Sequence, residues 1–80
     1  MISVRQMKAA RALLAWSQAD LAAASGISDP TIGRLEAEDG PVGGRAETGA
    51  ALVAALEKAG VEFIPENGGG AGVRMKRRKR

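Results

Sequence analysis

The sequence predicts a mainly α domain of about four helices followed by a short C-terminal β-hairpin. Three observations predict it. Apolar residues recur at three- and four-residue steps in the first 60 residues. Ser3, Ser17 and Ser28 each stand at an N-cap position before a helical stretch. After Gly60 the pattern changes to short β-prone runs on either side of "PENGGGAG", which has turn chemistry.

Each element has its own local reason. Ser3 and Gln6 have the S-x-x-Q spacing of a capping box, and Ile2 and Met7 sit where a hydrophobic staple belongs. Val4, Met7, Ala10 and Leu14 then share one face, so the first helix covers about residues 4–15. Ser17 caps a second helix, about 18–24, whose first-turn Asp20 complements the helix dipole. Gly26 ends it. Ser28 caps a third helix, about 29–37, and "EAEDGPVGGR" is a loop rich in Gly and Pro. A fourth helix covers about 46–59, with Leu52, Ala55, Leu56 and Ala59 as its apolar face and Gly60 at C′. Val61, Phe63 and Ile64 suit one strand, and Val73 and Met75 the other. The expected division is therefore 1–60 helical domain, 61–75 hairpin and 76–80 disordered basic tail.

Composition narrows the function. Eighty residues fit one compact domain with a small core. The chain has no Cys, His or Tyr, which removes thiolate metal sites, disulfides, the usual general base and the common catalytic triads. No cofactor is expected and no enzyme. No apolar run approaches a membrane span, and the charged N-terminus does not read as a signal peptide, so the expected location is the cytoplasm. The net charge of +3 is unevenly placed. Arg74, Lys76, Arg77, Arg78, Lys79 and Arg80 supply half of the twelve basic residues, while all nine acidic residues precede them. Residues 1–73 carry a net −3. The whole-chain charge is thus weak evidence about which face meets a polyanion.

The turn at Gly26 carries the functional argument. Two helices crossing steeply need a tight turn, and glycine takes φ > 0 there at little cost. Ala22, four residues earlier, is small enough to let the third helix approach the second. Leu21, Ile27, Ile32 and Leu35 supply apolar contacts between them and toward the first and fourth helices. These offsets are what a helix-turn-helix requires. Its second helix projects from the body and can enter a major groove.

On these residues "SQADLAAASGISDPTIGRLE" resembles the helix-turn-helix of the phage-repressor/Cro-like family, also called the XRE family. The matching residues are Gln18, Leu21, Ala22, Gly26, Ile27, Ser28, Thr31, Ile32, Leu35 and Glu36. The resemblance covers about residues 3–60, and the ending resembles that of short bacterial members. It implies a lambda-repressor-like fold and binding to double-stranded DNA. It also implies site residues. Gln18 matches the residue that bonds a phosphate and packs against the recognition helix. Ser28, Asp29 and Pro30 occupy the entry of that helix, with Thr31 one turn in. Arg34 matches a further base-reading position, where arginine can pair bidentately with guanine. Arg45 is a phosphate contact after the loop. The sequence departs from the pattern at Gly33, which costs roughly 1 kcal/mol against alanine on the exposed side of the recognition helix. It departs also at Asp29, at Pro30, and at Gly49, where a large apolar residue is expected.

Plainer readings stand beside these. Arg34 could be solvated or pair with Glu38 at i,i+4. Gln18 could be a simple first-turn polar residue, and Trp16 reads as a helix-junction anchor rather than a stacking platform. Glu36 and Glu38 read as a helix end and loop without a pocket. The functional expectation is a sequence-specific regulator of transcription, a repressor or mobile-element controller acting as a homodimer. The alternative is an antitoxin or antiactivator that keeps the fold and binds a protein partner. Val61, Phe63, Ile64, Val73 and Met75 are more apolar than a lone solvated ribbon needs. They are the expected dimer contact, unless Phe63 and Ile64 fold back on the first and fourth helices.

Overall fold

The computed structural model describes residues 2–76. The elements run α1 Val4–Leu14, α2 Gln18–Ser25, α3 Asp29–Glu36, α4 Ala46–Lys58, β1 Val61–Ile64 and β2 Gly72–Met75. The local signals act as expected. Ser3 accepts from the Gln6 amide and the Gln6 side chain accepts from the Ser3 amide, closing the capping box. Ser17 and Asp20 make a second reciprocal box, and Ser28 caps α3 with Pro30 in the first turn. Gly26 takes φ +77° and its amide donates to the Ala22 carbonyl. Gly60, at φ +109°, follows α4.

Each helix C-terminus lies one residue from the expected one, and that of α1 has a specific cause. α1 ends at Leu14, because Ala15 turns left-handed at φ 56°. The Ala15 amide donates to the Ala12 carbonyl and the Trp16 amide to the Arg11 carbonyl, the two bonds of a Schellman motif. Among the described residues Ala15 is the one non-glycine residue with positive φ.

The core is built from all elements. Val4, Met7 and Ala10 of α1, Leu21 of α2, Ile32 of α3, Leu52, Ala55 and Leu56 of α4 and Val61 of β1 are buried together. Ile2 and Val42 join them. Val42 belongs to the loop after α3, which is more ordered than its Gly and Pro content suggests. The Val4 amide donates to the Gly40 carbonyl at 2.8 Å, and the Val42 amide donates to the Ile2 carbonyl at 3.2 Å. A short antiparallel bridge, Ser3 with Pro41, lies between them.

The hairpin is antiparallel, pairing Val61 with Met75, Glu62 with Arg74, Phe63 with Val73 and Ile64 with Gly72. It lies on α1 and α4. The Gln6 side-chain amide fastens it, donating to the Gly72 carbonyl at 3.0 Å and the Ile64 carbonyl at 3.4 Å. This placement covers one face of the hairpin within the chain. Val61 is buried, and Phe63 and Val73 pack against the same core, so a two-stranded sheet that needs one covered face finds it within its own chain. Ile64 is half-buried, and Met75 remains exposed near Gly60. Just past the last strand pair, the Lys76 amide donates to the Gly60 carbonyl at 2.6 Å. The remaining basic residues, 77–80, lie outside the described residues.

Candidate nucleic-acid interface

The geometry of α3 follows from its spacing. Ile32 and Glu36 are buried one turn apart, and Leu35 packs against the core. Pro30 and Arg34 are exposed on the other side, Ser28 and Asp29 are exposed at the entry of the helix, and Thr31 is half-exposed. The helix therefore exposes its N-terminal entry and the side that carries Pro30 and Arg34. Ser28 is partly occupied. Its oxygen accepts from the Thr31 amide, and its hydroxyl donates to Thr31 Oγ1 at 2.8 Å. The Thr31 hydroxyl proton is then free to point elsewhere.

α3 is held by a buried ion pair. Arg11 Nη2 donates to Glu36 Oε1 at 2.6 Å and Nε donates to Oε2 at 2.9 Å. Arg11 Nη1 also donates to the Trp16 carbonyl. Gln18 Nε2 donates to Glu36 Oε1 at 3.0 Å. One carboxylate thus joins the last turn of α1, the first turn of α2 and the last turn of α3. Burial pushes the Glu36 carboxyl up. The hydrogen bonds from Arg11 and Gln18, and the charges of Arg11 and Lys8, outweigh it and hold the carboxyl below its usual range. The bond to Glu36 raises Arg11.

Residue composition alone does not reveal this clamp, and Glu36, at the helix end as expected, is buried. A signal was present. Arg11 follows the buried Met7 by four residues, and Glu36 follows the buried Ile32 by four. Charged groups on two buried helix faces are expected to be paired.

The other expected residues are separately placed. Gln18 is half-buried, with its amide nitrogen on Glu36 and its oxygen about where a β-carbon on Gly33 would make ordinary contact, at 3.5 Å. Gly33 is therefore half-covered by Gln18 rather than on the open face. Among the described residues neither Arg34 nor Arg45 makes an ion pair, and no bond joins Arg34 to Glu38. Arg5 is bonded to Asp39 and Arg74 to Glu62, both at the surface. Arg45 is the exposed N-cap of α4 and supplies no side-chain cap. Trp16 packs against the core at the α1–α2 junction, as an anchor would. Among the described residues no group of three acidic side chains gathers as it would around a metal, and no helix is long and apolar enough to cross a membrane.

A family model described as helix-turn-helix matches residues 7–43, from the middle of α1 to the loop after α3. No curated protein matches the chain. The matched stretch holds the whole Arg11–Gln18–Glu36 clamp, the Gly26 turn and the exposed side of α3. Residues 7–43, a little under half of the chain, are thus similar to the Cro/XRE-like helix-turn-helix family, which supports a DNA-binding regulator of transcription.

Proposed function

We propose that the protein is a sequence-specific repressor-type regulator that binds an operator as a homodimer. The observation that carries this is the two-sidedness of α3. Its inner face is locked by Ile32 and by Glu36 on Arg11 and Gln18, while Ser28, Asp29, Pro30 and Arg34 stand exposed outside. A helix fixed on one side and exposed on the other suits insertion into a major groove. Arg34 reads a guanine edge, and Thr31 and Asp29 meet neighbouring bases, Asp29 as an acceptor for cytosine N4. Gln18 contacts a phosphate and sets the register. The basic tail adds salt-sensitive, sequence-independent attraction. One such helix reads few base pairs, so two copies on half-sites about one helical turn apart supply the specificity. Occupying a promoter then blocks polymerase.

Selection of bound duplexes from a random DNA pool tests the reading. An inverted repeat is the expected outcome. Recovery of unenriched sequence at moderate salt would overturn sequence-specific binding.

A further inference from the structure

Along the outer side of α4 runs an apolar groove of about 590 Å³. Its floor is the stretch Ala46, Gly49, Ala50, Val53 and Ala54, and Phe63 of the hairpin lines it together with Ile2 and Val42. A β-carbon built on Gly49 meets nothing within 4 Å, so the groove is open at that point. Ala46, Ala50 and Ala54 are exposed, and the core does not use them. Arg45 and Glu57 also line the groove, one at each end of α4, and neither makes an ion pair among the described residues.

We propose that this groove receives α4 of a second copy of the chain, antiparallel, across a two-fold axis passing beside Ala51. Charge and shape choose the same register. A two-fold axis reverses the helix, so positions equally far before and after Ala51 come together. Gly49 and Val53 are one such pair, and Arg45 and Glu57 are another. The first places Val53 of the second copy in the gap left by Gly49, and the reverse occurs at the other end. The second places opposite charges together twice, about 18 Å apart along α4. Such an isologous contact closes on itself and stops at two copies. Gly49 then serves as the small residue over which a second helix can approach. The inference rests on the homodimer reading above and assigns its interface to α4, with Phe63 at the groove wall.

The test is sedimentation of the full chain without DNA. Gly49→Glu adds a β-carbon that meets nothing in the single chain, removes a helix glycine and places its charge near the N-terminal end of α4. It should therefore raise the melting temperature, by about 2–6 °C, while weakening dimerisation at least about tenfold. Arg45→Glu and Glu57→Arg should each weaken the dimer by up to about tenfold, and the double exchange should restore it to within about twofold. A Gly49→Glu chain that is stable and dimerises like the wild type would overturn the α4 interface but leave the homodimer standing. Failure of the double exchange to restore what the single changes lose would overturn the antiparallel register. A wild-type chain that stays monomeric at high micromolar concentration would overturn both the interface and the homodimer, and the groove would then belong to a different protein. Site selection reads DNA recognition separately, through the bases enriched within a half-site.

Discussion

Arg11 and Glu36 stand 25 residues apart in sequence and meet through two parallel hydrogen bonds, Nη2 to Oε1 at 2.6 Å and Nε to Oε2 at 2.9 Å. The Glu36 side chain is only 2% exposed and that of Arg11 18%. Removing one partner leaves the other charge buried without compensation, which costs far more than an exposed pair is worth. Glu36→Gln should destabilise the domain by about 3 kcal/mol, a large part of what a domain of this size has. Urea denaturation measures it. A loss under about 0.5 kcal/mol would show that the pair does not hold α3 to α1.

The same carboxylate gives stability an acid limb. Its ordinary value is 4.5, and in the fold it lies lower. The ionised form is therefore favoured in the folded state. That contribution is complete above about pH 4.5 and disappears as pH falls through the lower folded value. Wild-type stability should fall across this range. The Glu36→Gln variant should lose less, with Asp39 and Glu62, held low by Arg5 and Arg74, supplying the remainder. Parallel stability curves for the two proteins would exclude Glu36 as the source.

Ala15 holds the left-handed position of a Schellman motif, at φ 56°, where glycine is the usual residue. The strain of a β-carbon there is roughly 1–2 kcal/mol. Glycine relieves it but gains entropy in the unfolded chain. Ala15→Gly should raise stability by about 0.5–1 kcal/mol. A decrease would mean that the alanine methyl has a packing role that outweighs its strain.

The helices were legible because their signals are local. Ser3 with Gln6, Ser17 and Ser28 as N-caps, and Gly26 at the turn, act within a few residues of themselves. The Gly26 turn also carried the family resemblance. What stayed hidden depends on contacts between distant residues. Arg11 and Glu36 lie 25 residues apart, and only the crossing of α1 and α3 brings them together. Val42 read as loop because the bridge to Ile2 and Ser3 forms across more than 35 positions of sequence. The apolar side chains of the hairpin were visible, but the face that covers Val61, Phe63 and Val73 is set by how α1 and α4 pack. Ala15 is invisible for the opposite reason: alanine favours helix, and the turn overrides that preference.

Gln6 has two jobs that one substitution separates. Its oxygen accepts from the Ser3 amide and its nitrogen donates to the Gly72 and Ile64 carbonyls. Gln6→Glu keeps the acceptor and loses the donor, placing a carboxylate against two carbonyl oxygens. The capping box should survive while the hairpin loosens by about 1–2 kcal/mol. Amide hydrogen exchange resolves the two. Faster exchange confined to residues 61–64 and 72–76 is expected. Equal loss across α1 would mean that the hairpin and helix open together.

Arg34 and Gln18 should separate base reading from clamping. Arg34 is exposed, makes no ion pair among the described residues, and touches the core through no hydrogen bond. Arg34→Ala should leave the melting temperature nearly unchanged and cost about 1–3 kcal/mol on the selected operator, with specificity relaxed at one position. Gln18 differs, because its amide nitrogen is bonded to Glu36. Gln18→Ala should lower stability by about 1 kcal/mol and weaken binding on selected and scrambled duplexes alike, since a phosphate contact carries no sequence. Fluorescence anisotropy on both duplexes, alongside thermal melts, distinguishes the roles. Should Arg34→Ala bind the two duplexes with wild-type affinities, α3 would not read bases through that side chain. Should Gln18→Ala lose stability but no affinity, the residue would serve only to hold Glu36.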